Sequence, residues 1–320
     1  MSENANTTMN GTLQSSCAWN PIAEKIGKTF AYSLIFLTSL AGNTLLGIIV
    51  YKTKTMRKPV NFLIVNMAMS DLLFHIFLFP SEILQRLYTD SWLIAGPLGQ
   101  ALCKLIYFLP DVSTAVSIQS LVLIAVCRFG AVVFPLRPPL ISSKRCQSLI
   151  FATWIVAMAI HSPYLFGLKL AEIHGVLDCR WHWKEGFGES SSLQNYFLSL
   201  CVAFTFMPFV LIALLYIIIF FKLKSLRSPG EQSVNVEQQR QQRERNVLKM
   251  TIAVVLGFAV CWLPFALGEF ITILWDIRSC SFQYFFTVTL FMARANCALN
   301  PCICFIFSRN YREGLKTLLS

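Results

Sequence analysis

Seven long apolar runs constrain the fold of this chain more than any other feature. Each contains about 20 or more mostly apolar residues, enough for a helix that crosses roughly 30 Å of hydrocarbon. They lie at approximate positions 29–51, 60–82, 102–134, 146–170, 195–222, 247–275 and 282–307. In lipid, backbone polar groups must be paired within the protein, so such runs predict helices, and the alternating strands of a membrane barrel are not visible. We expect an all-α membrane protein, a seven-transmembrane helix bundle.

Composition excludes the main alternatives to a membrane protein. Apolar residues make up 55 % of the chain and charged residues 13 %, whereas ordinary globular domains contain about 25 % charged residues. These values also exclude a disordered chain and a small disulfide scaffold. The formal net charge of +11 does not indicate nucleic acid, because the basic residues lie between the apolar runs. The expected surroundings are a lipid bilayer.

The basic residues predict the orientation of the spans. Of the 27 lysines and arginines, 18 lie either in the segments after the first, third, fifth and seventh runs or in the run ends that border those segments, and such residues concentrate on the cytoplasmic side. We therefore expect a multi-pass plasma-membrane protein with an extracellular N-terminus and a cytoplasmic C-terminus. The tail at 1–28 contains glycosylation sequons at Asn6 and Asn10, which agree with this orientation.

Two cytosolic segments lie outside the apolar runs. The membrane domain at 29–307 includes a polar cytosolic loop at about 223–246, whose second half is predicted to extend the sixth helix into the cytosol. The C-terminal segment 308–320 has the pattern of an amphipathic helix on the inner leaflet.

The cysteines separate by side of the membrane. Cys103 and Cys179 both lie outside and can meet in an oxidising compartment, as can Cys17 and Cys280. Either bridge would staple loops without binding a ligand. The other seven cysteines have neither paired spacing nor histidine partners, so no zinc site is expected.

Several polar residues occupy depths at which polarity is costly. Asp71 lies in the middle of the second run, and Asn43, Ser117, Asn296 and Asn300 lie at comparable depth. A carboxylate with amide and hydroxyl oxygens suits a small hard cation or a proton. Hydrogen bonding between helices explains the same residues equally well.

Four charged residues lie nearer the outer ends of the runs: Glu82, Asp111, Glu269 and Arg294. They could line an outward-opening cavity that water reaches. They could also pair with one another, and Glu269–Arg294 is the salt bridge we expect in that case.

Each run also contains a motif of its own. In chain order these are Gly42-Asn43; Asn66 with Ser70-Asp71-Leu72; Cys103 and Arg128 with Pro135-Leu136; Trp154 and Pro163; Pro208 and Tyr216; Phe258 with Cys261-Trp262-Leu263-Pro264; and Asn296 with Asn300-Pro301. In this order, over 28–319, the chain resembles the rhodopsin-like (class A) G-protein-coupled receptors, and its overall character is similar to the neuropeptide-receptor branch. The C-terminal amphipathic segment then corresponds to the family's helix 8.

The resemblance implies roles for individual residues. It implies an allosteric sodium pocket, a switch beneath the ligand with its packing relay, a cytosolic opening, a G-protein contact and an outer disulfide. The sodium pocket would consist of Asp71, Ser117, Asn296 and Asn300, and the switch would be Trp262 with Phe258, Pro208 and Ile118 as its relay. The cytosolic opening would involve Arg128 and Tyr216. The G-protein contact would be Leu136, and the outer disulfide would be Cys103–Cys179. It also implies that a ligand activates heterotrimeric G proteins through outward movement of the sixth span, because agonist and G protein favour one open state. Arrestin is a further expected partner.

Two departures from the family pattern affect this prediction. The family's Asp-Arg-Tyr is Cys127-Arg128-Phe129 here, so an acid that would pair with Arg128 is missing, although Glu244 could replace it. The family's Asn-Pro-x-x-Tyr motif ends in Cys304 and lacks the tyrosine hydroxyl. The first change weakens a restraint on activation and the second disfavours the active state, so they act in opposite directions.

The ligand prediction rests on the outer residues. Pro110 stands where monoamine receptors place an aspartate, and Arg294 stands where opsins place the lysine that binds retinal, with which arginine cannot form the imine. The polar second outer loop favours a peptide. Glu82, Asp111 and Glu269 could receive a basic group by charge-assisted bonds, with Arg294 and Trp262 as further contacts.

Rival functions remain at this point. One is a receptor-like decoy with weak or no coupling, and another is a receptor for a small non-peptide ligand. An ion transporter or channel would use Asp71 on its path, but the odd span count and the lack of internal repeats count against it. No constellation typical of an enzyme occurs in the sequence.

Overall fold

The computed structural model describes residues 21–87, 92–135, 137–173, 175–225, 235–275 and 279–319. Within these ranges seven helices are long and apolar enough to cross a membrane, which confirms the predicted bundle. We number them span 1 to span 7: Ile22–Lys52, Pro59–Ile83, Gly96–Val133, Ser143–Gly167, Leu193–Lys224, Asn246–Leu274 and Cys280–Phe307. The helices themselves run Pro21–Lys52, Pro59–Leu87, Gly96–Val133, Ser143–His161, Pro163–Gly167, Leu193–Leu200, Met207–Ser225, Asn235–Leu274 and Cys280–Phe307.

Both helices that the sequence predicts beyond the apolar runs are present. The helix that contains span 6 begins at Asn235, so it extends span 6 through the second half of the loop, as expected. Helix 8, Arg309–Leu319, follows span 7. Large apolar side chains such as Phe151 and Phe220 are 68 % and 63 % exposed, as expected for lipid-facing surfaces.

Glycine allows close packing at two junctions of span 1. A Cβ added at Gly42 would lie 2.6 Å from Cγ of Pro301 on span 7, which is too close for any larger residue without movement. A Cβ at Gly314 of helix 8 would collide with Ile49 in the same way. These glycines therefore let span 7 and helix 8 pack directly against span 1.

Span 5 is interrupted by a wider turn. A π-helical segment at Cys201–Phe206 separates the helices Leu193–Leu200 and Met207–Ser225. Pro208 follows it, and proline cannot donate the hydrogen bond that would continue a regular helix. Span 5 is therefore irregular in the turn that precedes Pro208.

A β-hairpin in the second outer loop was not predicted. Strand β1, Leu168–Ile173, pairs antiparallel with β2, Val176–Trp181, so that Leu170 lies opposite Cys179. The prediction that span 4 continues to residue 170 is therefore wrong, since its helix ends at Gly167. The turn contains Gly175 with φ of +78°, a conformation that favours glycine.

Two apolar clusters form most of the described core. The inner cluster contains residues of all seven spans and of helix 8 and includes Leu46, Leu63, Leu121 and Met250, each no more than 1 % exposed. The outer cluster joins span 3 and span 4 to the hairpin around Val116 and Leu168. The polar residues described next lie among these packed side chains.

Candidate functional site

Asp71 is a buried carboxylate on span 2. It is 3 % exposed, and its Oδ2 accepts a hydrogen bond from Nδ2 of Asn300 on span 7 at 2.9 Å. Ser117 on span 3 and Asn296 on span 7 are 2 % and 1 % exposed. The Ser117 hydroxyl hydrogen-bonds to that of Ser70 at 2.7 Å. The structure thus buries all four residues of the expected sodium pocket and joins Asp71 to Asn300. We call these four residues the central polar site.

Amide oxygens without partners belong to the same region. In the described part of the chain, Oδ1 of Asn43, Asn296 and Asn300 is buried without a hydrogen bond. A buried polar atom left unpaired costs about 1–3 kcal/mol, so oxygens of this kind favour a ligand that supplies positive charge. Carboxylate, carbonyl and hydroxyl oxygens are the ligands that hard cations prefer. The chemistry of this donor set, one carboxylate and unpaired amide oxygens, is therefore compatible with the sodium ion that the sequence predicts.

Span 1 is tied to span 7 beside this site. Nδ2 of Asn43 donates to the backbone oxygen of Cys297 at 2.9 Å, and the Ser39 hydroxyl donates to the same oxygen at 3.4 Å. Nδ1 of His75 lies 3.3 Å from the Ser39 hydroxyl and 3.2 Å from the backbone oxygen of Asp71. Hydrogen bonding between helices, the second explanation for these polar residues, is thus also present here.

Asn66 illustrates a polar residue whose role is packing. Its Nδ2 donates to the Ser120 hydroxyl at 2.9 Å, and its Oδ1 accepts from Nε1 of Trp154 at 2.9 Å. These bonds join span 2 to spans 3 and 4 and satisfy both ends of the amide. Asn66 therefore differs from Asn296 and Asn300, whose oxygens have no partner among the described residues.

The outer charged residues do not pair as the sequence suggested. Nη2 of Arg294 lies 2.8 Å from Oε1 of Glu82 on span 2, and its Nη1 donates to the Tyr32 hydroxyl at 3.3 Å. The guanidinium also lies over the Tyr32 ring, 5.4 Å from its centre. The predicted Glu269–Arg294 salt bridge is wrong because this face of span 7 is directed toward spans 1 and 2, not toward span 6.

Asp111 is held by a tyrosine that the sequence analysis missed. The Tyr164 hydroxyl, from the short helix at the outer end of span 4, donates to Oδ2 of Asp111. Tyr164 itself is 4 % exposed and packs edge-on against Trp181 of β2, with ring centres 4.8 Å apart. Only the position of Pro163 directly before Tyr164 indicated that this tyrosine lies at a helix end near the outer surface.

Glu269 on span 6 lies close enough to Asp111 for the two carboxylates to interact electrostatically. Both side chains are partly buried. Within the described ranges no lysine, arginine or histidine lies within salt-bridge distance of Glu269 or Asp111, whereas Glu82 is paired with Arg294. We call Asp111 and Glu269 the outer acidic pair.

A disulfide and two hydrogen bonds attach the hairpin to span 3. A disulfide joins Cys103 at the outer end of span 3 to Cys179 of β2, as predicted. The Gln100 side chain adds two hydrogen bonds to β1, one to the oxygen of Leu168 at 3.2 Å and one from the nitrogen of Leu170 at 2.9 Å. Cys280 is also disulfide-bonded, and its predicted partner Cys17 lies outside the described residues.

An ion pair on the outer surface joins β1 to the short helix Trp183–Phe187. Lys169 donates to Glu185, and Nδ1 of His182 lies 3.0 Å from the same carboxylate. The Lys169 ammonium and His182 lower the pKa of Glu185 below its usual range. These side chains are largely exposed, so they hold the local conformation of the loop without adding much stability.

The predicted switch residues form a continuous apolar contact below the outer residues. Trp262 and Phe258 of span 6 are stacked, with ring centres 5.9 Å apart and planes 17° from parallel. Phe258 in turn contacts Phe209, which follows Pro208, at 6.0 Å between ring centres. Ile118 on span 3 is 2 % exposed and belongs to the same inner cluster. The structure thus brings Trp262, Phe258 and Ile118 into one apolar cluster, and the role of Pro208 stays a prediction.

At the inner end, Cys127 and Tyr216 pack on the inner cluster, and Arg128 is partly buried nearby on span 3. Cys304 is fully buried. The side chain of Glu244 and residue Leu136 lie outside the described residues, as do the sequons at Asn6 and Asn10. The pairing of Arg128 with Glu244 therefore stays a prediction.

Comparison with known proteins agrees with this arrangement. Residues 42–303 match the family model of the seven-transmembrane receptors of the rhodopsin family. The QRFP-like peptide receptor of Branchiostoma floridae is 31 % identical over 94 % of the chain and 79 % of its own length. The RYamide receptor of Drosophila melanogaster is 28 % identical over 96 % of the chain and 66 % of its own length. Neuropeptide FF receptor 1 of Rattus norvegicus is 31 % identical over 89 % of the chain and 68 % of its own length.

Proposed function

Because the chain belongs to the rhodopsin family of seven-transmembrane receptors, we propose that it binds an extracellular peptide and activates heterotrimeric G proteins. The relatives described above are signalling receptors named for peptides, which places the chain in the neuropeptide-receptor branch and supports a peptide ligand. We further propose that it lies in the plasma membrane with its N-terminus outside, as the distribution of its basic residues indicates.

The outer acidic pair is the observation that carries the ligand class. Asp111 and Glu269 interact electrostatically as two carboxylates, and in the described ranges neither forms a salt bridge, although the neighbouring His161 acts on Asp111 with the opposite sign. A guanidinium placed between them would relieve this repulsion and donate to both carboxylates, for which its planar fork of donors is suited. Glu82 is less available, because Arg294 already neutralises it. We therefore assign the basic group of the peptide to Asp111 and Glu269.

Below this position, Trp262 connects the ligand to the rest of the bundle. A ligand held by Glu269 acts on span 6, which also contains Trp262 and Phe258, and their stacked rings lead toward the inner end. A bound peptide that favours an outward position of span 6 raises the affinity for G protein, and G protein raises the affinity for peptide by the same factor. Arg128 and Tyr216 are then exposed to G protein at the inner end, with Leu136 as a further contact and arrestin as a second partner.

We propose that sodium acts against this change. An ion bound by Asp71, Asn296 and Asn300 would join spans 2 and 7 through their buried oxygens, with Ser117 of span 3 beside them. A ligand that binds one state more tightly shifts the equilibrium toward that state. The oxygens left unpaired in the structure support a site of this kind.

The ligand class is tested with a panel of peptides on three forms of this receptor: the wild type, Glu269→Gln and the control Glu189→Gln. The panel contains peptides of the QRFP, RYamide and neuropeptide FF types, each with its arginine either intact or replaced by neutral citrulline. The measured quantity is G-protein activation. We expect the arginine form to activate the wild type, and Glu269→Gln to lower its potency about 10- to 100-fold, the effect of losing a hydrogen bond to a charged group.

The control for this panel is Glu189→Gln, which removes an exposed carboxylate on the same outer side, 3.1 Å from Lys184. This variant should respond as the wild type does. Equal potency of arginine and citrulline peptides on the wild type, or full potency on Glu269→Gln, would contradict the assignment.

A decoy that binds peptide without coupling is the second candidate. Cys304 favours it, because it replaces the tyrosine hydroxyl that the family pattern places at the inner end, and this loss disfavours the active state. In that case the variant Cys304→Tyr should gain G-protein recruitment while its peptide binding stays intact. A decoy would be excluded by peptide-driven activation of the wild type.

A further inference from the structure

Tyr311 of helix 8 is a buried tyrosine whose hydroxyl has no partner in the part of the chain that the structure describes. The residue is 0 % exposed and belongs to the inner apolar cluster, and its ring meets Phe305 of span 7 edge-on at 6.3 Å between ring centres. Its hydroxyl oxygen is buried, and no donor or acceptor in the described ranges lies within hydrogen-bond distance. A phenylalanine would fill the same space without leaving a polar group unpaired.

The backbone around Tyr311 is held firmly in place. Nη1 of Arg312 donates to the oxygens of Phe305 and Ile306 at the end of span 7. Gly314 brings helix 8 into direct contact with Ile49 of span 1. The tyrosine therefore cannot swing its hydroxyl to solvent while helix 8 stays docked, and only a shift of the surrounding spans can give it a partner.

Cys304 lies in the same inner cluster as Tyr311. It too is 0 % exposed, and its backbone oxygen accepts the hydrogen bond from Ser308 that ends span 7 and leads into helix 8. The thiol is a weak donor, so span 7 offers no hydroxyl at this position. Tyr311 supplies a buried hydroxyl to the same cluster.

We propose that Tyr311 is a positioning residue for activation, whose hydroxyl is unpaired in the arrangement seen here and gains a hydrogen bond when the inner end of span 7 shifts. Helix 8 thereby supplies the polar group that Cys304 does not supply from span 7. The unpaired hydroxyl raises the free energy of the present arrangement relative to the shifted one. This proposal rests on the proposed G-protein coupling, and its test separates the two.

The first measurement is the thermal unfolding of the purified receptor, which needs neither ligand nor G protein. Because Tyr311→Phe removes an unpaired buried hydroxyl, we expect the melting temperature to rise by roughly 2 °C. The matched control is Tyr164→Phe, the same substitution at a tyrosine whose hydroxyl donates to Asp111, and it should lower the melting temperature. A fall for Tyr311→Phe like that for Tyr164→Phe would overturn the proposal, because it would show that the hydroxyl is already bonded.

The second measurement is G-protein activation at matched surface expression, without ligand and with the peptide panel. We expect activation to fall several-fold in Tyr311→Phe and to recover in Tyr311→Phe/Cys304→Tyr, which returns a hydroxyl from span 7. Unchanged activation in Tyr311→Phe would overturn this proposal alone. A wild type that activates no G protein under either condition would overturn the proposed function and this proposal with it.

Discussion

The guanidinium of Arg294 lies 2.8 Å from the carboxylate of Glu82, with 14 % and 18 % of the two side chains exposed. This pair joins span 7 to span 2 and leaves the acidic residues of spans 3 and 6 without that cation. The two outer groups therefore differ in what they can bind. One is neutral overall and ties helices together, and the other is the acidic pair to which we assign the basic group of the peptide.

Neutralising one partner of this ion pair should destabilise the receptor. Arg294→Gln or Glu82→Gln leaves a largely buried charge without its partner, and we expect each to lower stability by about 3 kcal/mol. The double variant should be more stable than either single variant, because it leaves no charge uncompensated. The melting temperatures of the purified wild type, the two single variants and the double variant test this. If the double variant loses as much stability as the two single variants lose together, the two charges do not interact.

Sodium should stabilise the receptor through Asp71. We expect the melting temperature to be higher in sodium chloride than in N-methylglucamine chloride of equal ionic strength, and Asp71→Asn to abolish this difference because the carboxylate is the charged ligand. Asn66→Ser is the matched control, since it changes a buried polar residue of the same span whose amide is already satisfied. The control should keep the sodium effect, and an undiminished effect in Asp71→Asn would place the ion elsewhere.

The bridge from Cys103 to Cys179 should hold the hairpin over the ligand site. The two residues are separated by 76 positions in sequence, and closing a loop of that length contributes about 4 kcal/mol in the chain-entropy model. We expect Cys179→Ser to lower the melting temperature and to abolish peptide activation. Cys201→Ser, at a free and partly buried thiol of span 5, should do neither, and equal behaviour of the two variants would contradict a specific role of the bridge.

The spans, helix 8 and the extension of span 6 could be predicted because each depends on a local pattern that lipid makes strict. The polar residues at mid-membrane could be predicted for the same reason. The partners of a side chain on neighbouring helices could not be predicted. The sequence indicates that Arg294 is directed inward, but it does not indicate which neighbouring helix it contacts. Tyr164 was missed as the partner of Asp111 for this reason, and the hairpin was missed because its short strands are stabilised by Cys103 and Gln100 of span 3.

The inner end offers a prediction about basal activity. Cys127→Asp returns a carboxylate beside Arg128. An ion pair there should stabilise the inactive state and lower ligand-free G-protein activation several-fold. Cys302→Ser, at an exposed thiol of span 7, is the control and should leave ligand-free activation unchanged. A rise in ligand-free activation in Cys127→Asp would show that the missing acid does not restrain this receptor.

The central claim is that the chain couples a peptide to a G protein. The most direct test is G-protein activation in cells by the peptide panel, comparing the wild type with Arg128→Ala at matched surface expression and matched peptide binding. We predict that an arginine-containing peptide activates the wild type and not Arg128→Ala, although both bind it. Equal activation of the two receptors, or binding without activation in the wild type, would contradict the account.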